Sequence, residues 1–169
     1  MDAARGPDGD EVDRLLAAWA QARPDLDVSP MEVLSRVTRL ARHLDDHRRE
    51  AFATHGLEGW AFDVLAALRR AGEPYQLSPG QLLRETMVTS GTMTNRVDRL
   101  TARGLVRRSD HPDDRRGVLV TLTAEGKTAV DSAMSDLLDA EQHMLDGLSA
   151  AERARLAGWL RDLIRPYEH

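Results

Sequence analysis

The side chains with the clearest chemical potential lie in one arginine-rich stretch, residues 84–116. The stretch contains eight arginines, which are Arg84, Arg96, Arg99, Arg103, Arg107, Arg108, Arg115 and Arg116. Five acidic residues accompany them, so the stretch carries an excess of three positive charges in a chain whose net charge is −5. Guanidinium groups bind phosphates and carboxylates through paired N–H donors. The distribution therefore indicates a polyanionic partner at this stretch, although a solvent-exposed arginine-rich helix face would give the same pattern.

The residues needed for other kinds of chemistry are missing from the sequence. The chain has no cysteine, which excludes a disulfide framework, a thiolate zinc site and a thiol-based peroxide sensor. His43 and His47 are four residues apart and could bind a metal ion from one helix face, but no HExxH motif or third ligand accompanies them. No nucleophile–base pair and no glycine-rich phosphate loop is present. We therefore predict a binding protein with no catalytic residue, metal ion or cofactor, rather than an enzyme.

The elements that must position the arginines form a helix-turn-helix pattern. Ser78 and Gln81 make a capping box that opens a short helix. After a turn at residues 86–89, a second helix is predicted over residues 90–103 and is ended by Gly104. Two short helices joined by a tight turn are the usual frame of a DNA-reading module.

The second helix has two distinct faces. Met93, Val97 and Leu100 recur at helical spacing and are predicted to face a core. Five polar side chains lie off that stripe: Thr92, Asn95, Arg96, Arg99 and Arg103. Such a helix can place its polar face in a DNA major groove while its apolar face holds it to the domain.

A β-hairpin is predicted after this helix, with strands at residues 106–109 and 118–122. The second strand alternates, with Val118, Val120 and Leu122 predicted inward and Leu119 and Thr121 predicted outward. Residues 111–117 form a polar tip that we predict to be too irregular to pair fully. The order of helix, turn, arginine-bearing helix and basic hairpin is that of a winged helix-turn-helix.

Helices with broad apolar faces flank this module. They are predicted at residues 11–23, 30–54, 57–71, 124–144 and 150–165, with capping boxes at Ser29/Glu32 and Ser149/Glu152. Such helices cannot bury both sides within one chain, which favours a dimer. We predict a mainly α-helical protein with a small β-hairpin, of the α+β class. Its predicted divisions are a disordered tail at 1–9, N-terminal helices at 10–56, the winged domain at 57–123 and C-terminal dimerisation helices at 124–169.

The segment RVDRLTARGLVRRSDHPDDRRGVLVTLTAEG resembles the core signature of the MarR family of bacterial transcription regulators. The family pattern runs from RLxxxGLVxR through a wing containing DPxDRR to a strand that closes with LTxxG. The sequence departs from it at His111, where the wing motif usually has an aspartate, and PDDRR follows intact. The resemblance implies a homodimer that binds a pseudo-palindrome in double-stranded DNA, with recognition helices ~34–36 Å apart.

The resemblance also implies which residues contact DNA. On the second helix they are Thr92, Asn95 and Arg99, and at the wing they are Asp114, Arg115 and Arg116. Asp114 would hold Arg116 for insertion into the minor groove, as in the family. The expected function is a regulator, most simply a repressor, that leaves its operator when a small ligand binds.

Four further residues resemble the urate-responsive members of the family. They are Trp19 in the additional N-terminal helix, Asp63 in FDVL, Arg96 in TNR and Arg108 in LVRR. A small anion with ring nitrogens suits a guanidinium fork, a carboxylate acceptor and an aromatic lid. Each residue has an ordinary alternative: Trp19 as a core anchor, Asp63 and Arg108 as a structural ion pair, and Arg96 as a phosphate contact.

Three interpretations of the function therefore stay open. The effector can be urate, or another anion such as trans-aconitate or a phenolic carboxylate. Alternatively, the chain is a constitutive DNA-binding regulator with no small-molecule input. The sequence contains no apolar run long enough to span a bilayer and no signal-peptide pattern at residues 1–10, so we expect no membrane partner and a cytoplasmic location.

Overall fold

The structure is a computed structural model that describes residues 9–86, 89–112 and 114–168, and only the backbone of residues 111 and 114–116. Two compact units divide the chain, Met1–Asp46 and His47–His169, and each is described by itself. The helices are α1 Glu11–Ala22, α2 Pro30–Ala53, α3 Gly59–Arg70, α4 Pro79–Thr86, α5 Ser90–Ala102, α6 Ala124–Met144 and α7 Ala150–Ile164. The strands are β1 Gln76–Leu77, β2 Val106–His111 and β3 Asp114–Leu122, and a 3-10 turn Arg165–Tyr167 follows α7. The predicted α+β class is confirmed.

In the first unit, charged side chains fasten α1 to the start of α2. The Asp10 carboxylate caps α1 by accepting from the backbone N–H groups of Val12 and Asp13. Arg36 of α2 then donates to Asp10 at 2.8 Å and to Asp13 at 2.6 Å. The hydrogen bond from Arg36 is the main reason that the pKa of Asp10 falls to about 2. Arg39 makes a second link by pairing with Glu11.

The capping box predicted at Ser29 is not the arrangement at the start of α2. The backbone N–H of Ser29 donates to Asp27 Oδ1 at 2.9 Å instead of to the side chain of Glu32. A nearby aspartate in an Asx-type turn thus replaces the predicted glutamate. The capping boxes at Ser78/Gln81 and Ser149/Glu152 are both present as predicted.

The core of the second unit is built around α3, whose Ala61, Val64, Leu65 and Leu68 are fully buried. Other elements contribute Leu82, Met93, Val97, Leu100, Val106, Val120, Val130 and Ala133, each 2% exposed or less. Each fully buried aliphatic side chain of this size stabilises the fold by roughly 1.5–3 kcal/mol relative to exposure. The predicted apolar stripe of the second helix is therefore confirmed as core, and it fixes which face of α5 is left for solvent.

The hairpin belongs to a three-stranded antiparallel sheet in the order β1-β3-β2. The two-residue β1 lies where the sequence predicts the end of a loop, and it pairs Gln76 with Thr121. Strands β2 and β3 extend beyond the predicted ends to His111 and Asp114, with a register shift between Asp110 and His111.

The predicted alternation along β3 is partly wrong. Leu119 and Thr121, predicted outward, are 8% and 4% exposed. Thr121 pairs with Gln76 of β1 and with Arg107 of β2, whereas Leu119 pairs only with Ser109 of β2. Val118, predicted inward, is 37% exposed, and it pairs with Asp110 next to the register shift near the end of β2. Val120 and Leu122 face the core as predicted.

A local hydrogen-bond cluster joins the end of α5 to the start of α6. Helix α5 ends at Ala102, one residue before the predicted end, and Gly104 follows with a φ of 71°. Thr123 Oγ1 accepts from the backbone N–H of Gly126 at 3.0 Å and donates to the carbonyl of Gly104 at 2.8 Å. The cap predicted for α6 is therefore confirmed, and it also holds the turn that directs α5 into the hairpin.

Candidate nucleic-acid interface

The side chains predicted to contact DNA from the helix lie together on the exposed face of α5. Thr92, Asn95 and Arg99 are all solvent-exposed, on the side opposite to the buried Met93, Val97 and Leu100. Thr92 Oγ1 lies 2.9 Å from Thr89 Oγ1, at the turn that precedes the helix. The geometry gives one continuous polar face of the kind that a major groove accepts.

This face continues into a groove whose wall is an aromatic ring. The groove has a volume of about 370 Å³ and is lined by Trp60, Gly91, Thr92, Asn95, Arg96 and Arg99. The guanidinium carbon of Arg99 lies 4.5 Å from the centre of the Trp60 ring, and that of Arg96 lies 5.8 Å from it. Cations at such distances are attracted by the ring face. Trp60 therefore positions two of the arginines of α5.

Glu58, which the sequence did not single out, is the ionic partner of Arg99. Arg99 Nη2 donates to Glu58 Oε1 at 2.8 Å. The indole N–H of Trp60 donates to the other oxygen of the same carboxylate. The hydrogen bond from Trp60, followed by the nearby charge of Arg99, holds the pKa of Glu58 below its usual range. No spacing rule points to this residue, because it lies 41 positions before Arg99.

At the tip of the wing, only the backbone of residues 111 and 114–116 is described. The backbone of β2 and β3 pairs His111 with Asp114, beyond the register shift that follows Asp110. The side chains of Asp114, Arg115 and Arg116, the predicted minor-groove contacts, lie outside the described residues. Their predicted roles stay predictions.

Among the predicted ligand residues, Asp63 is exposed on α3, and no described side chain donates a hydrogen bond to it. Partial desolvation nevertheless raises the pKa of Asp63, against the opposing charges of Arg96, Arg70 and Arg48. Arg96 is half-buried, its guanidinium carbon lies 5.8 Å from the centre of the Trp60 ring, and its charge acts on Asp63. The structure therefore brings Asp63 and Arg96 within electrostatic range of one another.

Arg108 is not paired with Asp63, so the structure does not show the alternative of a structural ion pair between them. Its Nη1 lies 2.8 Å from Asp98 Oδ1, and its Nη2 donates to the carbonyl of Thr94 at 3.4 Å. Both partners are on α5, so Arg108 joins the base of the wing to that helix. Strand β2 starts next to α5 rather than next to α3. Arg108 therefore meets a carboxylate of α5 instead of Asp63.

Trp19 lies on α1 in the first unit, and its side chain is 43% exposed. It is therefore not a buried core anchor of the single chain. His43 and His47 are also exposed, and no group of three or more potential ligands that could hold a metal ion occurs within residues 9–86, 89–112 and 114–168. Within the same ranges, no helix is both long and apolar enough to cross a membrane.

Comparison with known proteins supports the geometry. A family model described as MarR family matches residues 55–117, a segment that contains α3 to β2 and the start of β3. The regulator PecS of Dickeya dadantii is 35% identical over 150 residues, which cover 89% of this chain and 90% of PecS.

Two solved structures are also similar. The BpsR protein of Bordetella bronchiseptica, whose DNA binding is regulated by 6-hydroxynicotinic acid, is 31% identical and covers 76% of this chain and 98% of its own, with a TM-score of 0.57. A MarR variant of E. coli in complex with operator DNA is 27% identical. The match covers 82% of this chain and 99% of the MarR chain, with a TM-score of 0.66.

These relatives are named as transcription regulators, which agrees with the prediction that the chain is not an enzyme. The likeness to PecS extends over about nine-tenths of both proteins and includes the helix-turn-helix and the wing. The chain belongs to the MarR family of winged helix-turn-helix transcription regulators.

Proposed function

We propose that this regulator binds a pseudo-palindromic operator as a homodimer, represses from it, and is released by a small heteroaromatic anion. The observation that carries the DNA-binding part is the exposed face of α5, where Thr92, Asn95 and Arg99 lie together. Asn95 is suited to a base edge, and Arg99 to a phosphate or a guanine. Asp114, Arg115 and Arg116 complete the interface at the minor groove beside it, as the family resemblance implies.

The homodimer is supported by apolar side chains that the single chain leaves in solvent. Helix α7 has no buried residue, and its Trp159 and Leu163 are 59% and 52% exposed. Helix α2 leaves Val33 and Leu34 53% and 58% exposed. Apolar surface of this extent on a water-soluble regulator indicates a partner surface. A second copy that covers these helices would present two α5 helices to successive major grooves, ~34–36 Å apart.

The effector site is supported by the environment of Asp63 and Arg96. A carboxylate with a raised pKa and no hydrogen-bonded partner, next to a half-buried guanidinium, is suited to a ligand that offers both a ring N–H and a negative charge. Arg108 would bind the same anion, as the family resemblance implies. BpsR, which responds to 6-hydroxynicotinic acid, supports the class of planar nitrogen-containing anions. Urate is the first member of that class to test.

A constitutive regulator is the second candidate, and one observation favours it. Asp98 already neutralises Arg108 at 2.8 Å. An anion that used Arg108 would have to displace this carboxylate from α5. If the ion pair persists in all states, Arg108 has a structural role and the regulator has no need of an effector.

A DNA-shift assay on the promoter nearest the gene, with and without ligand, separates the two candidates. Urate, 6-hydroxynicotinate and trans-aconitate are tested in parallel, and thermal unfolding is recorded in the same buffers. A ligand at about 100 times its dissociation constant should stabilise the fold by roughly 2.7 kcal/mol and release the DNA. If none of the three anions changes operator binding or raises the Tm, the result would support the constitutive regulator.

A further inference from the structure

Glu58, the residue before α3, places a carboxylate on the face of α5 that the proposed DNA contact requires. Its two oxygens accept from Arg99 and from the Trp60 indole. Glu58 occupies the N-cap position of α3, yet its side chain caps none of the backbone N–H groups of that helix. The side chains preferred at this position, Ser, Thr, Asp and Asn, bond a free N–H group of the first turn, and glutamate is not among them. The side chain of Glu58 is instead directed toward the recognition helix.

Stability of the fold does not account for this arrangement. The side chains of Arg99 and Glu58 are 52% and 56% exposed. Ion pairs with this exposure contribute little free energy, because water and salt screen the attraction. A residue that departs from a local structural preference without a compensating gain in stability is typical of a functional position.

Glu58 is an ionised partner for Arg99 at neutral pH. The Trp60 indole and the nearby guanidinium of Arg99 keep the pKa of Glu58 below its usual range. Arg99 therefore meets an approaching phosphate with its charge already balanced by a carboxylate.

We propose that Glu58 competes with the DNA backbone phosphate for Arg99. The inference rests on the proposed entry of α5 into the major groove. A phosphate at the groove must replace the carboxylate on Arg99, and Glu58 then lies uncompensated beside the polyanion. Both effects oppose binding, and neither depends on the base sequence, because phosphates carry no sequence information. Glu58 thus lowers the affinity for all DNA without changing the preference among sites.

Trp60 allows a phosphate to replace Glu58 on Arg99 while Arg99 stays in the groove. The guanidinium carbon of Arg99 lies 4.5 Å from the centre of the Trp60 ring, a contact separate from the hydrogen bond of Arg99 to Glu58. Arg99 can therefore turn from Glu58 to a phosphate while it stays stacked on Trp60. Glu58 and Trp60 are positioning residues that act through Arg99, and they need not touch the DNA bases.

Glu58→Gln tests the competition, because glutamine can still accept from the Trp60 indole but lacks the charge that binds Arg99. Dissociation constants are measured by fluorescence anisotropy for two short duplexes. One is selected from a random pool by the unmodified chain, and the other is a scrambled sequence of the same composition. We expect about two- to fivefold tighter binding of both duplexes, the range that an exposed ion pair is worth, with an unchanged ratio between them.

Glu85→Gln is the matched control, because Glu85 is an exposed acid of α4 whose partner is Arg70 rather than a residue of α5. It removes the same charge from the same domain and should tighten binding less than Glu58→Gln does. Thermal unfolding of each variant verifies that the fold is retained.

The effect of Glu58→Gln is then measured again in the Arg99→Ala background. Competition for Arg99 predicts a smaller gain in that background, since only the repulsion between Glu58 and DNA remains to be relieved. Equal gains in both backgrounds would mean that Glu58 acts as a general negative charge, and weaker binding by Glu58→Gln would mean that it orients Arg99 for DNA. Either result overturns the competition. A failure of the unmodified chain to select any duplex would instead contradict the proposed function itself.

Discussion

Gly126 of α6 packs directly against the carbonyl oxygen of Leu105, so closely that an alanine Cβ at this position would overlap that atom. The same Cβ would lie 3.0 Å from Leu122 Cδ1. The obstructing atom belongs to the backbone of the turn between α5 and β2, which cannot rotate away as a side chain can. The glycine of the LTxxG motif is therefore required by the close approach of α6 to the recognition helix and wing.

Gly126→Ala should accordingly destabilise the protein by about 1–3 kcal/mol, the usual effect of forcing extra volume into a packed site. The free energy of unfolding is measured by urea denaturation. Gly59→Ala is the control, because nothing lies within 4 Å of its added Cβ. Equal stability of the two variants would show that α6 and the turn do not approach each other as described.

The stability of the first unit at low pH should depend on the ionisation of Asp10. Its pKa of about 2, chiefly due to Arg36, lies below the ordinary value of 3.8. A lowered pKa means that the ionised carboxylate stabilises the folded state at pH values above the unfolded pKa. This contribution is lost as the pH falls from about 4 through about 2. We therefore expect α1 to loosen from its cap in that pH range.

An NMR titration of the Asp10 carboxyl measures this pKa directly. In Arg36→Gln the pKa should move back toward 3.8, whereas Arg42→Gln, which changes another exposed arginine of α2, should leave it low. An ordinary pKa for Asp10 in the unmodified chain would contradict the described contact with Arg36.

Much of this architecture could be predicted from local sequence. The spacing of Met93, Val97 and Leu100 identified the buried face of α5, and the short-range caps at Ser78 and Ser149 marked two helix starts correctly. Such features depend on residues three to seven positions apart, which lie within one helix. For the same reason β1 was missed, because two residues are too few to show the alternation of a strand.

The site was predicted less completely because its partners are distant in the chain. The sequence assigned Arg99 to the DNA face, but it could not show that Glu58 and Trp60 hold this arginine. It left open a structural ion pair between Asp63 and Arg108, whereas Arg108 pairs with Asp98. These choices follow from how α3, α5 and β2 pack, and no spacing rule specifies which of several charges come into contact. The burial of Thr121 likewise depends on β3 being the central strand, because this residue pairs with both β1 and β2.

Asp63→Asn should separate ligand response from DNA binding. The raised pKa of Asp63 means that the ionised carboxylate is disfavoured by the fold, and this cost appears as the pH rises through that pKa. At neutral pH the variant should therefore be as stable as the unmodified chain or more stable, by no more than about 0.5 kcal/mol. It should bind the operator normally and lose release by urate or 6-hydroxynicotinate.

Asp45→Asn, which changes an exposed aspartate of α2, is the control and should keep both activities. Thermal unfolding and the DNA-shift assay are run on all three proteins. Normal ligand release by Asp63→Asn would remove Asp63 from the proposed effector site.

Arg116→Ala tests the wing. If Arg116 enters the minor groove, its loss should weaken operator binding by about 1–3 kcal/mol and leave the fold and the oligomeric state unchanged. Arg14→Ala removes the same charge from α1 and should have little effect on affinity. Isothermal titration at moderate salt gives the comparison, and an unchanged affinity in Arg116→Ala would contradict the assignment of Arg116 to the minor groove.

The claim on which the rest depends is that the exposed face of α5 enters the major groove. The most direct measurement is the salt dependence and sequence preference of DNA binding by a variant in which Thr92, Asn95 and Arg99 are all changed to alanine. These side chains lie off the buried stripe, so the variant should keep its fold and its Tm. We predict that the slope of log K against log salt falls by about one for the lost Arg99 phosphate contact. We also predict that the preference for the selected duplex over the scrambled one is largely lost. A folded variant that retains both the salt slope and the sequence preference would show that α5 does not read the DNA.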